Sequence, residues 1–303
     1  MSKVNLSVNL AGVDLKNPLV TASGTFNPQA HSQFYDLSLL GGVTLKGVAD
    51  VASPGNPTPR IAETYGGMLN SVGLHNPGVE AMKKEDLPFM EQFDTAVIVN
   101  TAGHSIEEYC RVSEALQEES RVDLVELNIS CPNVKEGGVT FGTDPKMVEK
   151  VVAAVKKCTK QPLIVKLSPN VTDITEIAKA AEAAGADALS LINTLFGMRI
   201  DIYRKKPILA QKMGGFSGPA VKPVAVRMVY QVHKAVQIPI LGMGGVMTAE
   251  DVIEFIMAGA TAVATGTANL VDPMAPVKIL EELPQVLEKL GVTDINEIRG
   301  IIE

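Results

Sequence analysis

The chain is short of cysteine: its 303 residues hold three, Cys110, Cys131 and Cys158. They are far apart in sequence, odd in number and without a C-x-x-C pair, which indicates neither a disulfide framework nor a thiolate metal cluster. Long apolar runs are also missing. Nothing approaches the roughly 20 residues of a membrane helix, and the start MSKVNLSVNLAGVDL has no basic region followed by an apolar stretch. A cytoplasmic protein without a membrane partner is the expectation. The net charge of −7 comes with no basic block, which argues against nucleic acid as a partner. No G-x-G-x-x-G follows an apolar segment, so a dinucleotide-binding Rossmann unit is not visible. Linkers, low-complexity tracts and shifts of composition are absent too, and residues 1–303 read as one domain.

What is present is a globular composition, 46% hydrophobic and 20% charged, in a chain long enough to bury a large core. Short runs rich in Val, Ile and Leu recur at 18–24, 41–47, 96–103, 124–130, 162–170, 188–194, 239–245 and 262–268, each followed by a helix-like stretch. Their near-continuous hydrophobicity suits parallel strands buried on both faces. The helical pattern TDITEIAKAAEAAGA (172–186) has Thr172 or Asp173 as a cap, and TAEDVIEFIMAGA (248–260) has Thr248 with Asp251 three residues on. Both close on Ala-Gly-Ala, the glycine acting as a stop. Eight strand-helix units at this length predict an α/β fold, a (β/α)8 TIM barrel, with a doubly wound open sheet as the alternative. Long loops are expected at 48–75, 131–143 and 195–217.

In such barrels the chemistry sits where the strands end. Read in order, those ends carry Ser23 and Gly24, Lys46, Asn100, Asn128, Lys166, Asn193 with Thr194, Gly244 with Gly245, and Gly266 with Thr267. The glycine-rich segments GMGGV and TGTAN allow backbone N–H groups to approach a phosphate, although each also reads as a tight turn. Lys46 and Lys166 are either salt-bridged surface groups or partly desolvated ammoniums in need of an anion. Aimed at one rim, they fit a flavin mononucleotide, its phosphate on the glycines and a lysine near the pyrimidine end of the ring. Asn70, Asn100, Asn128 and Asn193 offer paired donor and acceptor edges, if they are not merely turn or cap residues. MLNSVGLHNPG (68–78) reads as a loop closing over a ligand or as a plain connection.

Cys131 follows the fourth strand in a loop with Pro132, Gly137 and Gly138. It is either an inert small residue or a base or nucleophile, with Ser130 and Asn128 beside it. A thiol of ordinary pKa, about 8.5, would make activity rise toward alkaline pH. Cys110 and Cys158 fall within helices and read as packing residues. His31, His104 and His233 read as surface or helix-end residues, and His75 is given no chemistry.

NISCPNVKEGG, VKLSPNVTDI, LINTLFGMRI, GGFSGPAVKPVA, PILGMGGV and GTANLVDP, with GNPTPRIAET and MLNSVGLHNPG, resemble the class 1B dihydroorotate dehydrogenases in their catalytic subunit. This is the NAD-linked form of pyrimidine synthesis, and the likeness runs from about residue 5 to residue 290. The resemblance implies an FMN enzyme that oxidises (S)-dihydroorotate to orotate. Cys131 falls on the family's base, which removes the carbon-5 proton while hydride passes from carbon 6 to the flavin. For substrate the resemblance implies Lys46, Asn70, Ser71, Val72, Gly73, Leu74, Asn128, Asn193 and Thr194. For FMN it implies Ser23, Lys46, Gly47, Asn100, Asn128, Lys166, Ile192, Gly218, Gly244, Gly245, Gly266 and Thr267. It further implies a partner subunit carrying FAD and an iron-sulfur cluster, with a homodimer of this chain inside a heterotetramer. One departure is ASGTFNPQAHS, where the family usually has a more glycine-rich segment. A fumarate-linked class 1A enzyme acting alone, a Schiff-base lyase using Lys166 and a non-catalytic partner-binding barrel are the rival readings.

Overall fold

The computed structural model of the chain describes residues 4–130, 132–133 and 139–303. Eight parallel strands close into a barrel. They are β1 (Leu19–Thr21), β2 (Gly42–Val48), β3 (Ala96–Thr101), β4 (Leu124–Asn128), β5 (Leu163–Lys166), β6 (Ala188–Leu191), β7 (Ile240–Met243) and β8 (Ala262–Thr265). Each falls on one of the eight apolar runs, β2 alone reaching one residue past its run to Val48, and β8 pairs with β1 to complete the ring. Burial on both faces explains the lack of alternation, since Val97, Ile98, Val99, Leu124 and Val125 are all fully buried in succession.

The helices are α1 (Pro28–His31), α2 (Val79–Met90), α3 (Ile106–Leu116), α4 (Pro145–Cys158), α5 (Ile174–Ala183), α6 (Lys222–His233), α7 (Ala249–Met257), α8 (Thr267–Val271) and α9 (Ala275–Lys289). Asp173, not Thr172, caps α5 by accepting from the Thr175 N–H. The Thr248 and Asp251 side chains form the expected reciprocal box at the start of α7. Gly259, which stops α7, has φ +117°, and a Cβ there would fall 2.1 Å from His233 Cγ, so this stop is also a close approach to α6. The first crossover departs from expectation. After β1 there is only the four-residue α1, started by the Asn27 cap and Pro28, and a 3-10 turn at Leu37–Leu39.

The loops after β2 and β6 are not irregular. They contribute Ile61–Thr64, Gly67–Asn70, Leu195–Met198 and Met213–Ser217 to one four-stranded antiparallel sheet. Its central pairing sets Gly215 opposite Asn70 and Phe216 opposite Leu69, and Leu195 pairs with Phe216 on the other side. In the third long loop, Pro132–Asn133 pairs with Val139–Thr140.

Cys110 and Cys158 lie in α3 and at the end of α4, far apart in the chain yet neighbours in space. Burial, aided by the contact with Cys110, pushes the Cys158 thiol up to about 12, which makes it a packing group rather than a nucleophile. His31 ends α1 as expected but is buried, stacked on Phe26 with ring centroids 4.3 Å apart. Among the described residues no helix is long and apolar enough to cross a membrane.

Candidate active site

Strand register decides which side chains share the rim. Asn100 on β3 lies beside Glu126 on β4, while Lys166 on β5 lies beside both Asn128 and Ser190. Residues two apart on a strand share a face, so Glu126 sits one step below Asn128. Glu126 is fully buried. It accepts hydrogen bonds from Asn100 Nδ2 at 2.6 Å and Ser190 Oγ at 2.7 Å. Lys166, only 5% exposed, holds its Nζ 3.7 Å from Glu126 Oε2 and donates to Ser23 Oγ at 3.3 Å.

Lys46 is inside β2 rather than at its end. Burial first, and the Arg60 guanidinium second, hold its ammonium below the usual lysine range. It has no hydrogen-bond or ion-pair partner among the described residues. Among the described residues Arg60 itself donates only to the backbone carbonyls of Pro54 and Asn56. An anion entering between them would offset both charges.

On the opposite wall the amides form a network. Asn128 Oδ1 accepts from the Ser130 N–H at 3.2 Å and from Asn193 Nδ2 at 3.4 Å, and Asn193 Nδ2 also donates to Ser130 Oγ at 2.8 Å. Asn193 Oδ1 accepts from the Thr194 N–H at 2.7 Å. Tyr109, buried in α3, braces this wall by donating to the Asn128 carbonyl at 2.6 Å. Asn70 reaches the site from the covering sheet, where its Nδ2 donates to the Gly215 carbonyl at 3.5 Å. The chain beyond it is fixed by Asn56, whose side chain donates to the Ser71 carbonyl at 3.0 Å and whose N–H donates to Val72 O. Ser71 Oγ is buried without a partner among the described residues.

The ends of β7 and β8 supply a glycine cradle. Gly244 and Gly245 have φ +127° and +82°, and a Cβ on Gly245 would stand 2.8 Å from the Gly218 carbonyl and 2.9 Å from the Lys222 nitrogen. At Gly266 a Cβ would meet nothing closer than Ala22 Cβ at 3.8 Å, an ordinary contact. Thr267 follows it and donates to Ser217 Oγ at 2.9 Å, tying the start of α8 to the covering sheet.

All of this encloses one cavity of about 970 Å³. Every site residue expected from the sequence lines it except Cys131, which lies outside the described residues. Ser130, Phe216, Ser217 and His104 line it as well and were not expected to serve the site. For Ser130 the signal was its place two residues beyond Asn128 on the same strand end. The residues present fit a flavin mononucleotide: the volume suits a cofactor-sized ligand, the glycines can approach a phosphate, and Lys46 lacks a counter-ion among the described residues. A second cavity, of about 720 Å³ between α6, α7 and α9, is lined by Val226, Tyr230 and Ile253 and by none of the expected residues.

A closed parallel barrel whose rim combines desolvated lysines, amide side chains and a glycine cradle is a TIM-barrel protein whose rim can take an anionic ligand. Comparison with known proteins narrows this. The family described as dihydroorotate dehydrogenase matches residues 5–287. A protein of Alkaliphilus metalliredigens (strain QYMF), named dihydroorotate dehydrogenase B (NAD(+)), catalytic subunit, is 62% identical over 301 residues, covering 99% of each chain. One of the same name from Lachnoclostridium phytofermentans is 60% identical over 301 residues, covering 99% of this chain and 100% of its own. Another from Oceanobacillus iheyensis is 55% identical over 302 residues, covering 98% and 99%. The chain belongs to the dihydroorotate dehydrogenase family, a family of oxidoreductases, as its motifs led one to expect.

Proposed function

We propose that the chain is the FMN-bearing catalytic subunit of an NAD-linked dihydroorotate dehydrogenase, oxidising (S)-dihydroorotate to orotate in pyrimidine biosynthesis. The observation that carries the reading is the half-buried Lys46, without a counter-ion among the described residues, beside Asn70, Asn128, Asn193 and Thr194 in one cavity. A small carboxylate whose ring bears amide groups complements that set. FMN is held by Ser23, Lys46, Gly47, Asn100, Asn128, Lys166, Ile192, Gly218, Gly244, Gly245, Gly266 and Thr267, and when bound it supplies the hydride acceptor. Lys46 offsets negative charge, the asparagine amides fix the orientation of the substrate ring, and the covering sheet excludes water. Cys131 takes the carbon-5 proton.

The relatives' name, a catalytic subunit of the NAD(+) type, supports a separate electron-transfer partner; in this reading that partner carries FAD and an iron-sulfur cluster and passes the electrons to NAD+. The assembly is a heterotetramer around a homodimer of this chain, in the cytoplasm, and the whole chain works as one domain. Lys166 donates to Ser23 beside Glu126, an arrangement for an ammonium rather than for the attacking amine of a Schiff-base lyase. Anaerobic absorbance before and after dihydroorotate tests the reading. Loss of the yellow band near stoichiometric substrate is expected, and a flavin that stays oxidised would overturn the substrate assignment.

Lys46 also gives a pH prediction. A lysine held below its ordinary range loses its charge at lower pH than a surface lysine, and its attraction for an anion goes with it. Orotate affinity should therefore fall as pH rises through the titration of Lys46, by about tenfold per pH unit on that limb. Lys46→Ala should bind weakly and without that limb. Titrations followed by the flavin spectrum check this, and a parallel fall in both proteins would clear Lys46 of the role.

A further inference from the structure

Glu126 belongs to none of the roles above, yet it is the carboxylate beneath the rim to which three strands converge. We propose that Glu126 is a positioning residue that sets the electrostatic balance under the flavin: it orients Asn100 and cancels the charge of Lys166 without immobilising it. The proposal rests on the FMN reading and deepens it.

Three observations carry it. A carboxylate with no exposure inside a barrel is costly where an aliphatic side chain would pack, unless its partners are complete. Here Asn100 comes from β3, Lys166 from β5 and Ser190 from β6, and the two hydrogen bonds are short. Second, a carboxylate only accepts, so the amide nitrogen of Asn100 must face it. The oxygen is thereby turned to Gly47, where a Cβ would lie 2.5 Å from Oδ1. Glu126 thus decides that Asn100 offers an acceptor toward the cavity. Third, the 3.7 Å between Lys166 Nζ and Glu126 Oε2 is too long for a hydrogen bond but close enough to balance charge. Of the three ammonium protons Ser23 takes one, which leaves donors for a ligand.

The consequence concerns the flavin potential. Hydride uptake leaves one additional negative charge on the ring, which Lys166 favours and Glu126 opposes. With both in place the ring is not made so easy to reduce that electrons are trapped before leaving for a further acceptor. Without Glu126, Lys166 acts unopposed.

Glu126→Gln isolates the charge. Its Oε1 can accept from Asn100 and its Nε2 can donate to Ser190, whose hydroxyl rotates to suit, so the hydrogen bonds survive. Equilibration of the bound flavin with redox dyes should give a midpoint potential shifted to more positive values, with FMN affinity by fluorescence titration little changed. Glu126→Asp keeps the charge but withdraws it from Asn100; a near wild-type potential with weaker FMN retention is expected. Equal positive shifts in both variants, or no shift in Glu126→Gln, would overturn the proposal. If Glu126→Gln does not fold, Lys166→Met carries the same test with the opposite sign, and an unchanged potential there would also overturn it. Wild-type protein that takes up no FMN would instead remove the reading on which the proposal rests.

Discussion

Cys131→Ala retains its flavin and loses the first half-reaction: reduction of FMN by dihydroorotate is expected to slow by about 10²–10⁴-fold, the usual contribution of a positioned base. On the proposed reading the carbon-5 proton leaves as hydride departs from carbon 6, and without the thiol of Cys131 only water would remain to accept it. The approach to Cys131 is well anchored. Ser130, the residue before it, is held by Asn128 through its N–H and by Asn193 through its hydroxyl. These two amides also line the cavity, so in the proposed mechanism substrate and base would share one support. Anaerobic stopped-flow reduction measures the effect directly, and an unchanged rate would take Cys131 out of the mechanism. Because the substitution leaves the glycine cradle untouched, the flavin content should match that of the wild-type protein.

The reverse pattern is expected of Gly245→Ala. The residue has φ +82°, a region costly for any L side chain, and its new Cβ would meet the Gly218 carbonyl, Lys222 Cβ and the Lys222 nitrogen at 2.8–2.9 Å. Backbone on both sides of the cradle must shift. Strain of about 1–3 kcal/mol at one such residue, together with displaced phosphate donors, should weaken FMN affinity by about 10²-fold. The protein should purify pale and regain colour only at high FMN. Gly291→Ala is the control: its φ is +72° but nothing lies within 4 Å of a Cβ there, so it should cost some stability and no flavin. Equal FMN dissociation constants for Gly245→Ala and the wild type would dissociate the cradle from the cofactor.

The barrel was legible because its strands are buried on both faces, so the apolar runs stand out without any periodicity to decode. The rim was legible for a related reason: the first polar residue after such a run, as at Asn128 or Lys166, marks where a strand leaves the core. The covering sheet was not. Gly67–Asn70 and Met213–Ser217 are short and interrupted by glycine, and what makes them strands is their pairing with each other across the fold, a relation absent from either segment alone. Glu126 escaped notice because it interrupts an apolar run. Only the register that brings Asn100, Lys166 and Ser190 around it turns a misfit into a counter-charge.

That covering sheet has a bearing on how the protein is made. Its central contact, Asn70 with Gly215, spans 145 residues, so it forms only after the four barrel strands lying between, β3 to β6, have been synthesised. A nascent barrel would therefore present an open mouth, and a flavin could enter before the roof is drawn over it. Once paired, the same sheet would turn cofactor exchange into a matter of local unfolding. Loading would then be governed by the order of assembly, and retention by the free energy of lifting a single sheet.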